Sequence, residues 1–308
     1  MSLEILQLTK TYGPQKAVNN ISFEVKKGEI VGFLGPNGAG KSTTLKIATS
    51  YLPPSSGTVK VGGFDVVAHP MAVKRITGYL PEHNPLYLDL YVHEYLNFVG
   101  RLYGLNGSNL KSRVEEIIQL CGLMREQNKK IENLSKGYRQ RTGLAQALIH
   151  DPEVLILDEP TSGLDPNQLV EIRKLIREVS ANKTVIFSTH IMQEVEAICD
   201  RVVVINRGEI VANEKLSDLL KRKDGASAVI AEFESPIQAS ELEQIPGVER
   251  TVDLGANRYR VHYQQGTDIR PEIFRYAADR RLSLIGLKQE ENSLESVFRE
   301  LTGGTRAG

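Results

Sequence analysis

From the N-terminus to about Leu220, short apolar runs alternate with stretches whose apolar residues fall at helical spacing. The continuous runs EIVGFLG (29–35) and TVIFST (184–189) predict strands covered by helices on both faces, and so central strands of a largely parallel sheet. VLILDE (154–159) predicts a third strand. Leu110, Val114, Ile117, Ile118 and Cys121 recur with helical period, as do Leu169, Ile172, Ile176 and Val179, which predicts two amphipathic helices. Strands alternating with helices imply a layered α/β domain over 1–220. The charged, glycine-containing stretch KRKDGAS breaks this pattern and predicts a linker at 221–227.

Beyond the linker the pattern changes. The order is strand AVIAEFE, helix ASELEQI, strands around VERTVDL and RYRVHYQ, helix PEIFRYAADRR, strand LSLIGLK and helix SLESVFREL. It predicts a small α+β domain of ferredoxin-like type over 228–308. Its aromatic residues Phe233, Tyr259, Tyr263, Phe274, Tyr276 and Phe298 are assigned to a core rather than to base stacking, because strands and amphipathic helices bury such residues.

Length and composition narrow the class without fixing it. A chain of 308 residues accommodates about two domains. The 38 Lys plus Arg balance the 38 Asp plus Glu, so no global charge points to nucleic acid or an acidic lipid surface. Cys121 and Cys199 lack metal-ligand spacing and form no disulfide framework, so both are expected to be small core residues. The N-terminus lacks a basic start followed by a long apolar stretch, and no segment approaches the roughly 18 consecutive apolar residues of a membrane-spanning helix. A cytoplasmic protein is expected, and any action at a membrane requires another chain to span it.

The segment GPNGAGKST (35–43) follows the apolar run IVGFL and precedes a helical stretch, satisfying the G-x-x-x-x-G-K-[ST] pattern in its required context. Gly35, Gly38 and Gly40 let the backbone wrap around phosphates, with amides and the following helix N-terminus aimed at the anion; Pro36, Asn37, Ala39 and Thr43 complete the loop. Lys41 is the expected partner of the β- and γ-phosphates and Ser42 of Mg²⁺. Asp158 and Glu159 end an apolar strand, where open α/β sheets gather ligands. Asp158 is expected on the metal side, and Glu159 is expected to orient the water that attacks the γ-phosphate. The expected ligands are therefore ATP and Mg²⁺, and the expected activity is ATP hydrolysis.

With LSKGYRQR (134–141) the chain resembles the ATP-binding cassette, or ABC, family, whose signature motif this looks like. The resemblance covers about residues 3–220 in the expected order: GPNGAGKST, LSKGYRQR, VLILDE, SGLD (162–165) and His190 within FSTHIMQE. It implies a P-loop NTPase of ABC-cassette type with a helical subdomain at about 83–150. Tyr12, in KTYG, matches the aromatic that stacks on adenine, and His190 the switch histidine that bonds the γ-phosphate. Two cassettes, identical or related, are expected to close head to tail, so that Ser135 and Gly137 meet the ATP of the other subunit. Ser135 is also expected to cap the helix that follows, and Asp165 the next one. Glu82 stands where many members carry a metal-reaching glutamine, and Lys136 and Tyr138 depart from the commoner LSGGQ form. Both departures resemble exporter-type cassettes.

The resemblance further implies an ATPase subunit of an ABC transporter, similar to gliding-motility-associated and drug- or polysaccharide-exporter subunits. Such a subunit sits on the cytoplasmic face of the membrane and drives a separate permease that docks near Pro85, Leu86, Tyr87 and Leu90. The alternative is a soluble ABC ATPase acting on ribosome or nucleic acid, against which stand a single cassette and zero net charge. A nucleotide-gated binding module without turnover is disfavoured by the retention of Lys41, Asp158, Glu159 and His190. No nucleic-acid partner is expected.

Overall fold

A computed structural model describes residues 2–180, 183–221, 226–264, 268–290 and 294–303; positions 222–225 of the expected linker lie outside the described residues. The chain forms two compact units, one running to Leu216 and taking in the chain again from Leu301, the other Ser217–Glu300.

The first unit opens with β1 (Leu3–Tyr12), β2 (Gln15–Val25), β3 (Ile30–Leu34), α1 (Lys41–Ala48), β4 (Ser56–Val61), β5 (Phe64–Asp65), α2 (Pro70–Ile76) and β6 (Thr77–Leu80). It continues with α3 (Val92–Leu102), α4 (Gly107–Leu120), a 3₁₀ turn (Ile131–Asn133) and α5 (Lys136–Leu148). It ends with β7 (Val154–Asp158), α6 (Pro166–Ser180), β8 (Thr184–Thr189), α7 (Met192–Ile198), β9 (Arg201–Asn206) and β10 (Glu209–Lys215).

The main sheet has the order β10-β9-β3-β8-β7-β6, and the pairs β9–β3, β3–β8, β8–β7 and β7–β6 are parallel. Every residue of β7 and of β8 is buried, which is why neither strand shows an apolar–polar alternation. A second, antiparallel sheet has the order β2-β1-β4-β5. Its inward residues Leu3, Ile5, Phe23 and Val59 share a core with Phe33, Val154 and Ile186 of the main sheet, and the Phe23 and Phe33 rings lie 5.4 Å apart.

The helical region buries Leu110, Val114, Ile117 and Ile118 of α4, the stripe the spacing predicts. Each such side chain contributes about 1.5–3 kcal/mol relative to exposure. Arg113, on the same helix, donates from Nε to Ile149 O at 3.0 Å and from Nη2 to Leu148 O at 2.7 Å, giving carbonyls at the end of α5 a charged donor; Leu148 O also accepts the Asp151 N–H at 3.0 Å.

Register places the chemistry. Leu34 pairs with Thr189 and Asp158 with Ser188, so the C-terminal ends of β3, β7 and β8 finish side by side on one edge.

The second unit contains α8 (Leu216–Lys221, of which Leu216 belongs to the first), β11 (Ala226–Phe233), α9 (Ala239–Leu242), β12 (Val248–Asp253), β13 (Arg258–Gln264), α10 (Arg270–Asp279), β14 (Leu284–Glu290) and α11 (Leu294–Gly303, which from Leu301 on belongs to the first). Its sheet, β12-β13-β11-β14, is antiparallel throughout. With α9 and α10 inserted as crossovers this is the βαββαβ arrangement of the ferredoxin-like fold. Phe233, Tyr259 and Tyr263 are core residues as expected, with Tyr276 packed against them, whereas Phe274 is 64% exposed. The helix explains the exception: α10 buries Ile273 and Ala277, four residues apart on one face, and Phe274 is rotated about 100° from Ile273 and about 60° from Ala277.

Both cysteines are buried and free. Burial pushes the Cys121 thiol up to about 12 and also raises that of Cys199, so neither is a ready nucleophile. Among the described residues no helix is long and apolar enough to cross a membrane.

Candidate nucleotide site

The loop from Gly35 to Gly40 joins the end of β3 to the first turn of α1. Gly40 forms the N-cap of α1 at φ 110, and a Cβ there would lie 2.5 Å from Ala17 O. A side chain at Gly35 would meet Ile205 O at 2.4 Å. The loop is thus pressed against the neighbouring backbone by residues that have nothing to clash, and it leaves the first amides of α1 without helical partners. Asn37 and Gly38 are exposed at its tip, Ala39 is buried behind it, and Pro36, Ser42 and Thr43 are half-buried.

Lys41 is only 6% exposed, and its ammonium donates to Gly35 O at 2.7 Å and Pro36 O at 3.3 Å. It also pairs with Glu159 Oε1 at 3.5 Å. The other carboxylate oxygen of Glu159 lies 2.9 Å from His190 Nδ1. Glu159 is itself 6% exposed and adopts a left-handed φ of 48, an unfavourable conformation for a residue with a side chain. Its N–H is held by Ser188 Oγ at 3.0 Å and Ser188 O at 3.2 Å.

Asp158, 1% exposed, accepts from Ser42 Oγ at 3.0 Å and from Ser188 Oγ at 2.5 Å. Behind His190, Thr189 Oγ1 donates to the fully buried Glu194 at 2.9 Å and accepts the Ile191 N–H at 3.0 Å, fixing the turn that carries the imidazole. One connected set of polar contacts therefore links the phosphate-loop lysine and serine, two strand-end carboxylates and a half-exposed histidine. Such a set can neutralise a polyphosphate, present an oxygen pair to a hard cation and accept a proton from water.

Glu82 is exposed and shares with Ser42 and Asp158 the wall of a 470 Å³ cavity that continues past Tyr79 to His83 and Pro85. Burial and the nearby Asp158 raise the Tyr79 phenol well above its ordinary value, so it faces the site as a neutral group. Tyr12 stands half-exposed at the end of β1, with the Lys10 ammonium 5.4 Å from its ring centre. Ser135 caps α5, its Oγ accepting the Tyr138 N–H at 3.4 Å, and Gly137 is buried in the first turn of that helix. Asp165 caps α6 by accepting the Gln168 N–H at 3.0 Å. No hydrogen bond or ion pair among the described residues joins Tyr12, Ser135 or Gly137 to the Lys41–Glu159 set.

Comparison with known proteins decides the family. A family model described as ABC transporter matches residues 18–162. The linearmycin resistance ATP-binding protein LnrL of Bacillus subtilis is 34% identical, over 98% of this chain and 99% of its own length. The bacitracin transport ATP-binding protein BcrA of Bacillus licheniformis is 31% identical over 99% of both. A solved dimeric ATP-binding cassette in a post-hydrolysis state, bound to ADP and Pi, superposes with a TM-score of 0.64 at 27% identity, covering 70% of this chain and 98% of that one. The chain belongs to the ABC transporter ATP-binding subunits. It binds ATP and hydrolyses it.

In this ATPase subunit the donors suit a magnesium ion. Ser42 Oγ and Asp158 share one hydrogen bond, with Glu82 on the same cavity wall. Among the described residues no cluster of three or more His, Cys, Asp or Glu side chains forms a metal cage. A small hard cation that keeps waters and takes substrate phosphate oxygens needs few protein ligands.

Sequence reading passed over Ser188. Its only signal was a hydroxyl inside the apolar run TVIFST, where a fully buried polar group must have a partner.

Proposed function

We propose that this ATPase subunit powers an exporter, with Glu159 as the base that takes the proton of the attacking water. The observation that carries the reading is the link from Lys41 through Glu159 to His190. The Glu159 carboxylate is held by the Lys41 ammonium and by the His190 ring. A γ-phosphate competes for the same Lys41 ammonium and His190 ring, and as they turn to it Glu159 is released to face water. Lys41 and the amides at the start of α1 bind the β- and γ-phosphates. His190 senses the γ-phosphate, and Tyr12 stacks on the adenine. Ser42, Asp158 and Glu82 would hold Mg²⁺, which supplies charge neutralisation on the phosphate oxygens when bound.

Ser135 and Gly137 act across an interface: a capped helix N-terminus carrying a hydroxyl and free amides suits the γ-phosphate held by a second ATPase subunit. Tyr87, Leu88 and Leu102 are exposed in the helical region, and the Tyr87 ring packs 5.5 Å from Phe98. These residues suit a docking face for a separate permease, which would hold the subunit at the cytoplasmic face of the membrane. The whole-length likeness to linearmycin-resistance and bacitracin-transport subunits supports export of a cargo as the task.

Glu159→Gln tests the chemistry. ATP affinity is expected to stay within about twofold while turnover drops at least a hundredfold, because the proton-accepting group alone is changed. Turnover at the wild-type rate excludes Glu159 as the base. Affinity purification from membranes tests the task, and recovery of ribosomes in place of a polytopic membrane protein would overturn transport.

A further inference from the structure

We infer that Gln140 is a positioning residue for hydrolysis, because its side chain ties the signature helix to the backbone next to Glu159. The inference rests on Glu159 as the base. Gln140 Nε2 donates to Pro160 O at 2.7 Å, twenty residues along the chain. Pro160 follows Glu159 directly and is buried, so its carbonyl needs a protein partner, and Gln140 supplies one.

The contact belongs to a longer seam. Arg141 pairs with Glu171 of α6. The Gln168 side chain lies over Gly137, where a Cβ would sit 2.6 Å from Gln168 Cδ. The Lys136 ammonium fills the space beside Gly163, in the turn that leads to α6. The first turns of α5 therefore rest along the segment from Pro160 to Glu171.

Of the contacts in this seam among the described residues, it is the Gln140 bond that reaches Pro160, the residue after Glu159. Glu159 has a left-handed φ of 48 and is held on its N-terminal side by Ser188. On its C-terminal side the described hydrogen bond that fixes the next residue's carbonyl comes from Gln140. The Glu159 N–H is thus held by the β8 serine and its carbonyl by the Ser162 N–H at 3.1 Å, while the carbonyl of the residue that follows is held by the signature helix. A shift of α5 when its N-terminus engages a phosphate would pass to the catalytic carboxylate through one amide. The Gln140 donor cannot be replaced by a carboxylate, which has no N–H to offer and would repel the carbonyl.

The experiment compares Gln140→Ala and Gln140→Glu with wild type in steady-state ATP hydrolysis, alongside thermal unfolding and binding of a fluorescent ATP analogue. Expected is a fall in kcat of about tenfold for Gln140→Ala and more for Gln140→Glu, with KM and analogue affinity within about twofold. The deciding arm places Gln140→Ala in the Glu159→Gln background. If Gln140 acts through Glu159, residual turnover changes by less than about twofold there. A further tenfold loss in that background, an unchanged kcat in the single variants, or a loss confined to KM overturns the inference. Wild-type turnover in Glu159→Gln alone removes the base assignment itself, an outcome distinct from these.

Discussion

Replacing Ser188 with alanine isolates the hydroxyl that joins the two acidic residues. Ser188 is fully buried; its Oγ donates to Asp158 Oδ1 at 2.5 Å and accepts the Glu159 N–H at 3.0 Å. The first bond goes to a charged acceptor, and such bonds contribute about 1.5–3 kcal/mol. The second is partly backed up, because the same N–H also points to Ser188 O at 3.2 Å, so its loss costs at most about 1 kcal/mol. Asp158 keeps its bond from Ser42, which prevents the full penalty of a stranded buried carboxylate. The expected loss of stability is about 2–4 kcal/mol, read as a lower urea midpoint at constant m-value. A Glu159 N–H left with the longer Ser188 O bond alone should lower kcat about tenfold, equivalent to about 1.4 kcal/mol of barrier, with KM for ATP little changed. A stability within about 0.5 kcal/mol of wild type together with an unchanged kcat would show that this hydroxyl holds neither residue, and would refute the reasoning.

Arg113→Ala should destabilise the first unit by about 1.5–3 kcal/mol, because two carbonyls at the end of α5 lose a charged donor; urea unfolding measures it, and a change below about 0.5 kcal/mol contradicts the capping role. Tyr12→Ala should weaken ATP binding roughly tenfold, the value of one lost base-stacking platform, with kcat retained; equal affinity would move the adenine elsewhere. Burial pushes the His150 imidazole down to about 4, and its ring stacks 3.7 Å from Tyr103. The unfolded chain then takes up a proton near pH 6.5 that the folded chain refuses until about pH 4, so this contribution is complete above 6.5 and is lost as pH falls through that window. The urea midpoint of wild type should accordingly drop more between pH 7 and pH 5 than that of His150→Phe, which keeps the stack, and parallel drops would reject the assignment.

How much of this was legible in the sequence depends on the range of the interaction. Strands β7 and β8 are readable because burial on both faces writes itself as an unbroken apolar run. The phosphate loop is readable because the approach of Gly35 and Gly40 to neighbouring carbonyls forbids side chains. The caps at Ser135 and Asp165 are readable because they act three residues along the chain. The β2-β1-β4-β5 sheet was not foreseen, since its first strand is interrupted at Gln7, at φ 50, with register shifts along its pairing that blur any alternation. Phe274 was misassigned because membership of an amphipathic helix does not say on which side of the stripe a residue falls.

Ser188 and Gln140 were missed for a more basic reason. Each acts on a residue twenty or more positions away, through a contact that exists only once Asp158 is in register with Ser188 and α5 lies along the 160–171 segment. In a strand a slip of one position turns every side chain to the opposite face, so the pairing that brings Ser188 to the two carboxylates is as much a part of the site as the carboxylates are. The motifs identify which groups perform the chemistry. The distances at which they operate, 2.9 Å from His190 to Glu159 and 3.5 Å from Lys41 to Glu159, are fixed by parallel register among β3, β7 and β8. Variants that loosen this register without touching a motif residue should therefore lose turnover before they lose nucleotide binding, because the phosphate loop rests on one strand end whereas Glu159 and His190 must be aligned across two.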